Sequence, residues 1–220
     1  MKTIAIEGID GSGKALQSEL LQERWARAGK SVRSLSFPCY DTFFGAEVGR
    51  YLRGEGVRAD EVDSRSMCLW YALDRFDAMR GHEQWTEDIL LLNRYTLSNA
   101  VYQSVRAIDR EIAENWDWVQ KLEHGRLGLP RPDLYLILDV APDDAQRNVD
   151  SKGVREYVDG RDVYESQHGL LTRARKRYLD IARREPSMAV IRCDDQKIGL
   201  RPADEIAQDV WRVIKEKGFA

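Results

Sequence analysis

The first fifteen residues constrain this chain more than any other segment. Residues 3–6, Thr-Ile-Ala-Ile, are an apolar run typical of a buried strand, and residues 8–14 follow with the sequence Gly-Ile-Asp-Gly-Ser-Gly-Lys. Two glycines five apart and then a lysine make up most of the phosphate-binding loop pattern, whose final serine or threonine is here Ala15. In such a loop successive backbone N–H groups surround phosphates at the positive end of the next helix. The segment therefore predicts a phosphate site that lacks the usual hydroxyl for Mg²⁺.

The residues after this loop have the spacing of a helix that ends near Arg27, with Gly29 as a stop signal. The apolar positions that recur at helical spacing are Leu16, Leu20, Leu21 and Trp25. The alternative reading is a glycine-rich turn between a strand and a helix in an unrelated α/β protein. A strand before the loop and a helix after it favour the phosphate-binding reading.

The rest of the chain alternates between predicted strands and helices in the order β-α-β-α-α-β-α-α-β-α-α-β-α. Strands are expected near residues 2–7, 31–36, 87–92, 133–140 and 188–193. The run over 133–140 is almost continuously apolar, as in a strand that is buried on both faces of a parallel sheet. We expect one α/β domain over residues 1–220, a three-layer fold whose five-stranded parallel sheet is flanked by helices. Ligands of such sheets lie beyond the carboxyl ends of the strands.

Composition excludes several other classes of protein. The 220 residues are 43% hydrophobic and 32% charged, which fits a globular enzyme, and the net charge of −3 gives no general attraction to nucleic acid. No apolar run approaches the ~18 residues of a membrane span, and the N-terminal segment has the pattern of a strand rather than a signal peptide. The three cysteines are scattered with no C-x-x-C pair, which predicts a reducing compartment, the cytoplasm, and no zinc site.

Two segments that follow predicted strands, and a third on a predicted helix between them, combine aromatic side chains with arginines or amides. They are residues 37–40 (Phe-Pro-Cys-Tyr), 69–75 (Leu-Trp-Tyr-Ala-Leu-Asp-Arg) and 93–103, which begin Asn-Arg-Tyr. An aromatic ring can stack on a base, an amide can read its edge, and a guanidinium can hold a phosphate. The alternative for the tyrosines at 71, 95 and 102 is a place in the core, with the arginines merely solvated. The combination favours a nucleotide site.

Taken together, these residues resemble the thymidylate kinase family, P-loop enzymes that phosphorylate dTMP with ATP. The matching elements are residues 7–14, Phe37-Pro38, Ala72-Leu73-Asp74-Arg75, Arg94-Tyr95 with Ser98-Asn99 and Tyr102-Gln103, and Arg161-Asp162-Val163-Tyr164-Glu165. They occur in the family's order and cover residues 2 to about 180. The resemblance implies transfer of the γ-phosphoryl of ATP to dTMP, giving dTDP for dTTP synthesis, with Mg²⁺ required. It also implies a homodimer, for which an apolar face such as Met67–Trp70 is available.

The resemblance also assigns roles to individual positions. Tyr71 would stack on thymine, Arg75 and Asn99 would bond its edge, Arg94 would hold the acceptor phosphate, and Tyr102 would exclude a ribose hydroxyl. Asp10 would approach the 3′-hydroxyl of the acceptor or its metal, and Tyr40 replaces an arginine of many relatives. The implied acceptor site comprises Asp10, Phe37, Pro38, Tyr40, Tyr71, Arg75, Arg94, Ser98, Asn99 and Tyr102. The implied ATP site comprises Gly8, Asp10, Gly11, Ser12, Gly13, Lys14, Ala15 and Leu16.

The implied catalytic residues are Lys14, Arg94, Arg155 and Arg161. Some relatives carry an arginine inside the phosphate-binding loop, where this chain has Gly11, so the polar stretch 142–166 is expected to act as a mobile flap that supplies the cation, with Arg147 behind the two candidates. An ordinary exposed loop is the alternative for that stretch. The expected metal ligands are Asp10, Asp162 and Glu165.

Two departures from the family pattern bear on the metal. Ala15 lacks a hydroxyl, and Asn93 replaces the aspartate of the D-R-Y motif; both are positions where Mg²⁺ or its waters would want oxygen ligands. The chain is then either an active enzyme that holds Mg²⁺ differently or a catalytically silent nucleotide-binding protein. A deoxynucleoside kinase, which phosphorylates a 5′-hydroxyl, is a further alternative and would need a carboxylate base such as Glu7 or Asp74.

Overall fold

The computed structural model describes residues 1–106, 115–151, 169–195 and 199–220. Five parallel strands form one sheet in the order β2-β3-β1-β4-β5, so the strand that precedes the phosphate-binding loop is central. Their bounds are β1 Lys2–Glu7, β2 Val32–Ser36, β3 Ile89–Asn93, β4 Leu134–Asp139 and β5 Met188–Arg192. A short antiparallel pair, β6 Asp194–Asp195 with β7 Gly199–Leu200, follows β5.

Helices flank this sheet and follow the predicted element order. Their bounds are α1 Lys14–Arg27, α2 Phe43–Arg53, α3 Ser64–Ala78, α4 Thr96–Arg106, α5 Asn115–Val119, α6 Pro142–Ser151, α7 Leu170–Ala182 and α8 Ala203–Glu216. A 3₁₀ turn, His82–Gln84, precedes β3, and a π-helix, Gln120–Arg126, lies between α5 and β4. The predicted fold class, a five-stranded parallel sheet flanked by helices, is confirmed. Within the described residues, no helix combines the length and apolar character needed to cross a membrane.

Hydrophobic burial places the sheet at the centre of the core. β4 is buried along Leu134–Leu138, and Ile89 to Leu92 of β3 are also buried. These continuous apolar runs are those of strands covered on both faces. In α1, however, the expectation of an apolar face through Leu16 is wrong, because Leu16 is 46% exposed. Lys14, Gln17 and Ser18 occupy buried positions there instead, since the start of α1 packs beside the loop.

Two other predictions concern the apolar face Met67–Trp70 and the flap over residues 142–166. Met67, offered as part of an exposed face, is wholly buried in the core, whereas Leu69 on the same helix is 43% exposed and Trp70 packs against Phe44 and Tyr51. Residues 142–151 of the expected flap form α6, and residues 152–166 lie outside the described residues. The single domain with a flap therefore stays a prediction.

Burial also controls the chemistry of the three cysteines. It raises the pKa of Cys39, Cys68 and Cys193 to about 12 each, and for Cys39 the nearby carboxylates of Asp74 and Asp41 add to the effect. At pH 7.5 very few of these thiols are ionised, and the thiolate is the reactive form. We expect iodoacetamide to leave all three unmodified in the folded protein and to modify all three in guanidinium, as counted by mass spectrometry. Cys39 is half-buried, so rapid modification of this residue in the folded protein would contradict its raised pKa.

Candidate active site

The phosphate-binding loop connects central strand β1 to α1 and depends on glycines with positive φ. Gly8, Gly11 and Gly13 have φ of 141°, 79° and 85°, a region that other residues rarely adopt. At Gly8 a Cβ would also lie 2.7 Å from the carbonyl oxygen of Leu138 on β4. α1 begins after Gly13 without a side-chain cap, so the positive end of the helix remains open to an anion. This geometry supports the phosphate-binding reading over an ordinary turn.

The ammonium of Lys14 folds back across this loop. Its Nζ donates to the carbonyl oxygens of Ile9 at 2.8 Å and Gly8 at 3.2 Å, and lies 3.4 Å from Ser12 Oγ. Lys14 is 7% exposed, which is rare for lysine unless its charge is met by polar groups. The loop thus holds a buried cation beside its N–H groups.

Helix α6 packs directly on the same loop. Asn148 Nδ2 donates to the carbonyl oxygen of Gly11 at 2.9 Å, and a Cβ on Gly11 would lie 2.0 Å from the carbonyl oxygen of Ala145. Arg147, one of the expected cations, is on this helix, where it pairs with Asp144 and is largely exposed. The other two candidates, Arg155 and Arg161, and the expected metal ligands Asp162 and Glu165 lie outside the described residues.

Arg94 joins the loop to the neighbouring strand β3. Because β1 and β3 pair with Ile6 opposite Asn93, the backbone N–H of Arg94 donates to the carbonyl oxygen of Ile6 at 2.9 Å. Its guanidinium pairs with Asp10 and donates to Ser98 Oγ at 3.2 Å. Burial opposes the charge of Arg94, but the attraction of Asp10 outweighs it, and the pKa of the guanidinium lies well above its usual value. With φ of 61°, Arg94 holds a backbone conformation that is uncommon outside glycine.

A cleft opens beside Asp10 and contains about 530 Å³ of empty volume, part of it open to solvent. All ten residues of the expected acceptor site line this cleft, together with Leu52 and Gln103. Tyr102 OH donates to Asp10 Oδ2 at 2.6 Å and accepts from the N–H of Asp10 at 3.1 Å. Burial, and then the charge of Asp10, raise the pKa of Tyr102 well above its ordinary value, so this phenol stays a neutral donor. Tyr95, in contrast, is a core residue whose OH donates to the carbonyl oxygen of Pro130.

A buried ion pair forms one end of the cleft. Arg75 donates from Nε and Nη2 to the two carboxylate oxygens of Glu123, at 2.6 and 2.7 Å, and both side chains are almost inaccessible. Burial opposes the charge on Arg75, but Glu123 raises its pKa above the usual value. Asn99 Nδ2 donates to Glu123 Oε1 at 2.9 Å and to the carbonyl oxygen of Cys68 at 3.0 Å. Sequence reasoning missed Glu123, which belongs to no recognised motif.

Gln103 is the second residue that sequence reasoning did not assign to the site. Its Oε1 accepts from Arg106, whose guanidinium also donates to the carbonyl oxygen of Val62 at 2.8 Å. Two buried amide atoms of the cleft, Asn99 Oδ1 and Gln103 Nε2, have no hydrogen-bond partner in the described part of the chain. Buried polar atoms are normally paired, so this acceptor and this donor are available to bond a ligand in the cleft.

Two buried carboxylates near the cleft have structural partners instead. Glu7 accepts from the N–H of Tyr95 at 2.8 Å, from Ser98 Oγ at 2.5 Å and from Tyr178 OH at 3.1 Å, next to the start of α4. Asp74 accepts from the N–H of Cys39 and from Thr42 Oγ1, and burial raises its pKa. Neither carboxylate lines the cleft.

A phosphate-binding loop on the central parallel strand, sharing Asp10 with a cleft that presents unpaired amide atoms, defines a P-loop nucleotide kinase. Comparisons with known proteins agree. The thymidylate kinase family model matches residues 6–199. The thymidylate kinase of Mycobacterium tuberculosis is 34% identical over 190 residues, which are 81% of this chain and 85% of that protein. A probable thymidylate kinase of Methanosphaera stadtmanae is 27% identical over 215 residues, 95% and 94% of the two chains.

A solved structure gives the same result at the level of fold. The thymidylate kinase of Candida albicans superposes with a TM-score of 0.75, covering 98% of this chain and 91% of that one at 19% identity. With the match over residues 6–199, this protein belongs to the thymidylate kinase family.

Proposed function

We propose that the protein transfers the γ-phosphoryl of ATP to the phosphate of dTMP, giving ADP and dTDP. The observation that carries the proposal is the position of Asp10. This residue belongs to the phosphate-binding loop and also lines the cleft, where it pairs with Arg94. A donor bound to the loop and an acceptor bound in the cleft would therefore meet at one point, as in-line transfer between two phosphates requires.

On the donor side, the loop and Lys14 would hold the β- and γ-phosphates of ATP. The ammonium now bonds to carbonyl oxygens of its own loop, and phosphate oxygens would replace these weaker acceptors when ATP binds. Phosphoryl transfer needs charge neutralisation and positioning more than covalent chemistry from the protein. Arg155 or Arg161 as a further cation stays a prediction.

On the acceptor side, Arg94 would hold the phosphate of dTMP. Its charge is fixed within the cleft by Asp10 and Ser98, so little reorganisation is needed on binding. Tyr102, tied to Asp10 through its hydroxyl, presents a fixed ring beside the sugar position and would exclude a 2′-hydroxyl by contact. Tyr71 would stack on the base.

The unpaired amide atoms fit the edge of thymine. Thymine offers two carbonyl oxygens with an N3–H donor between them. Asn99 Oδ1 supplies an acceptor for N3–H, Gln103 Nε2 supplies a donor for a carbonyl oxygen, and Arg75 uses Nε and Nη2 for Glu123, which leaves Nη1 for the other carbonyl oxygen. A site built to bond such groups rejects a base that leaves them unpaired.

The donor set of the cleft fits Mg²⁺ with few protein ligands. Mg²⁺ is usually bound by one or two carboxylates together with substrate phosphates and waters, and it would neutralise charge on the phosphates. Asp10 is a carboxylate at the meeting point of loop and cleft, and Asn93 Oδ1, at the adjacent strand end, is a buried acceptor with no partner in the described residues. Within those residues no three His, Cys, Asp or Glu side chains form a metal cluster. Asp10 would be a ligand, and Asp162 and Glu165 stay predictions.

The two carboxylates named for a deoxynucleoside kinase do not lie where that reaction would need its base, next to a 5′-hydroxyl in the cleft. Glu7 and Asp74, the two candidates, do not line the cleft and hold backbone N–H groups. Arg94 would also lack an acceptor phosphate. A silent nucleotide-binding protein remains as the contrasting outcome of the activity test. A homodimer and a cytoplasmic location are further parts of the proposal. For the homodimer, Phe43 on α2 and Leu69 on α3 are exposed apolar residues.

ADP release from ATP and Mg²⁺ tests the proposal with four acceptors: dTMP, dUMP, the thymine ribonucleotide and thymidine. We expect turnover with dTMP, slower turnover with dUMP because one methyl is worth about 1–3 kcal/mol, little with the ribonucleotide, and none with thymidine. Turnover with thymidine would instead favour the deoxynucleoside kinase. Protein that binds dTMP but releases no ADP would be the silent member of the family.

A further inference from the structure

A buried carboxylate that does not line the cleft is hydrogen-bonded to side chains that do. Glu123 lies on the π-helix between α5 and β4, is wholly inaccessible and does not line the cleft. It nevertheless bonds to two residues that do, Arg75 and Asn99. Its own backbone is fixed, since its carbonyl oxygen accepts from the N–H of Leu129 at 3.0 Å. Glu123 can therefore act on a bound base only through these neighbours.

The orientation of the Asn99 amide follows from its two partners. Glu123 Oε1 is a carboxylate oxygen and the carbonyl oxygen of Cys68 is a backbone acceptor, so both require a donor. Only Nδ2 can serve both, and the amide cannot rotate by 180° without opposing acceptor to acceptor. The remaining atom, Oδ1, is the buried acceptor without a partner in the described chain.

The same carboxylate fixes Arg75. By accepting from Nε and Nη2 together, it holds the planar guanidinium in one orientation, with the Phe37 and Tyr95 rings about 6.0 and 5.9 Å from the guanidinium carbon. Arg75 offers only donors to a ligand. Glu123 thus fixes the orientation of one acceptor, Asn99 Oδ1, and of one donor group, the guanidinium of Arg75.

We infer that Glu123 is a positioning residue for base selection, which holds Asn99 and Arg75 in the donor and acceptor polarity that admits thymine and rejects cytosine. Cytosine carries an unprotonated N3 and an amino group in place of thymine's N3–H and O4. Its N3 would oppose Asn99 Oδ1, acceptor to acceptor, and its amino group would oppose Arg75, donor to donor. The inference rests on the proposed function for the choice of acceptor.

Glu123→Gln tests this directly because it exchanges one acceptor oxygen for a donor without changing shape. In either orientation the new amide opposes its NH₂ to a donor of Arg75, and in one of them also to Asn99 Nδ2. The conflict releases Arg75 from its fixed orientation, so the cleft loses the fixed donor that favours O4 of thymine over the amino group of cytosine. We expect dTMP to bind at least tenfold more weakly and the preference for dTMP over dCMP to fall at least tenfold.

Titration calorimetry with dTMP and with dCMP measures this preference as a ratio of two dissociation constants on one preparation, so partly folded protein does not bias it. Glu87→Gln is the matched control, because Glu87 accepts from Arg33 Nε and Nη2 at 3.0 and 2.6 Å and does not line the cleft. Its ratio should equal that of the unmodified protein. Glu123→Asp keeps a purely accepting group and should retain the preference within about threefold while both nucleotides bind more weakly.

The outcomes separate the two proposals. A preserved ratio in Glu123→Gln, or a lost one in Glu123→Asp, overturns the positioning role; if Glu123→Gln does not fold, the Asp variant decides by the same criterion. Equal binding of dTMP and dCMP to the unmodified protein also overturns it. Selective binding of dTMP without ADP release would instead contradict the proposed kinase activity and leave the binding comparison valid.

Discussion

Replacing Lys14 by Met will lower the kcat of the proposed reaction by about a thousandfold, or about 4 kcal/mol in activation free energy. The side chain is similar in length but carries no charge, so the γ-phosphoryl would lose its nearest lysine during transfer. In the folded protein the ammonium is buried and bonded to the carbonyl oxygens of Gly8 and Ile9, within the loop that would hold the phosphates. Steady-state ADP release at saturating dTMP measures the effect.

Lys2→Met is the matched control for this change. Lys2 Nζ lies 3.3 Å from Asp133 at the opposite, amino-terminal end of β1 and is largely exposed. Exposed ion pairs of this kind contribute about 0–1 kcal/mol, so the control should keep its activity and nearly all of its stability. If Lys14→Met lost less than about tenfold in kcat while binding ATP normally, Lys14 would not be acting on the transferred group.

Arg94→Met will weaken dTMP binding by about a hundredfold, close to 2.7 kcal/mol, and leave thymidine binding within about twofold. The guanidinium is the cation of the cleft that we assign to the acceptor phosphate, and thymidine has no phosphate to lose. The comparison of the two ligands therefore separates loss of a phosphate contact from general damage to the cleft. Calorimetric titration of each ligand into each protein gives the four dissociation constants.

Arg33→Met serves as the control, since it breaks an arginine–glutamate pair outside the cleft. An equal loss of dTMP and thymidine binding in Arg94→Met would contradict the assignment. Such a loss would mean that Arg94 acts by holding in place Asp10 and Ser98, the two residues that its guanidinium contacts.

Most of the fold was predictable because apolar runs in the sequence form the buried strands of the sheet. All five parallel strands lie within two residues of their predicted bounds. Four of them contain a run of apolar residues, whereas β2 has only two, Val32 and Leu35. The pair β6 and β7 was missed because two-residue strands carry no periodicity. The π-helix was missed for a related reason: it differs from an α-helix in hydrogen bonding rather than in residue pattern.

The lining of the cleft was predictable to the extent that it follows local motifs. Residues near 37–40 and 94–102 converge because β2 and β3 end at the same edge of the sheet. Residues 71–75 join them from α3, which packs against α2 and α4. Their binding roles stay predictions. Glu123 was not predicted because it bonds to residues far away in the sequence: Arg75 is 48 residues away and Asn99 is 24. Residue spacing carries no information about such contacts. The available signal was weak: Gln103 follows Tyr102 in the recognised motif, and Glu123 is the one carboxylate of Gln120–Arg126, whose other residues are exposed or partly buried.

The close packing of α6 on Gly11 has a consequence for how this enzyme class can be altered. With φ of 79° and a Cβ position only 2.0 Å from the carbonyl oxygen of Ala145, position 11 has no room for any side chain while α6 stays where it is. An arginine at this position would demand a different path for the chain after β4. No single substitution at position 11 can therefore be accommodated alone, and the loop and α6 would have to change together.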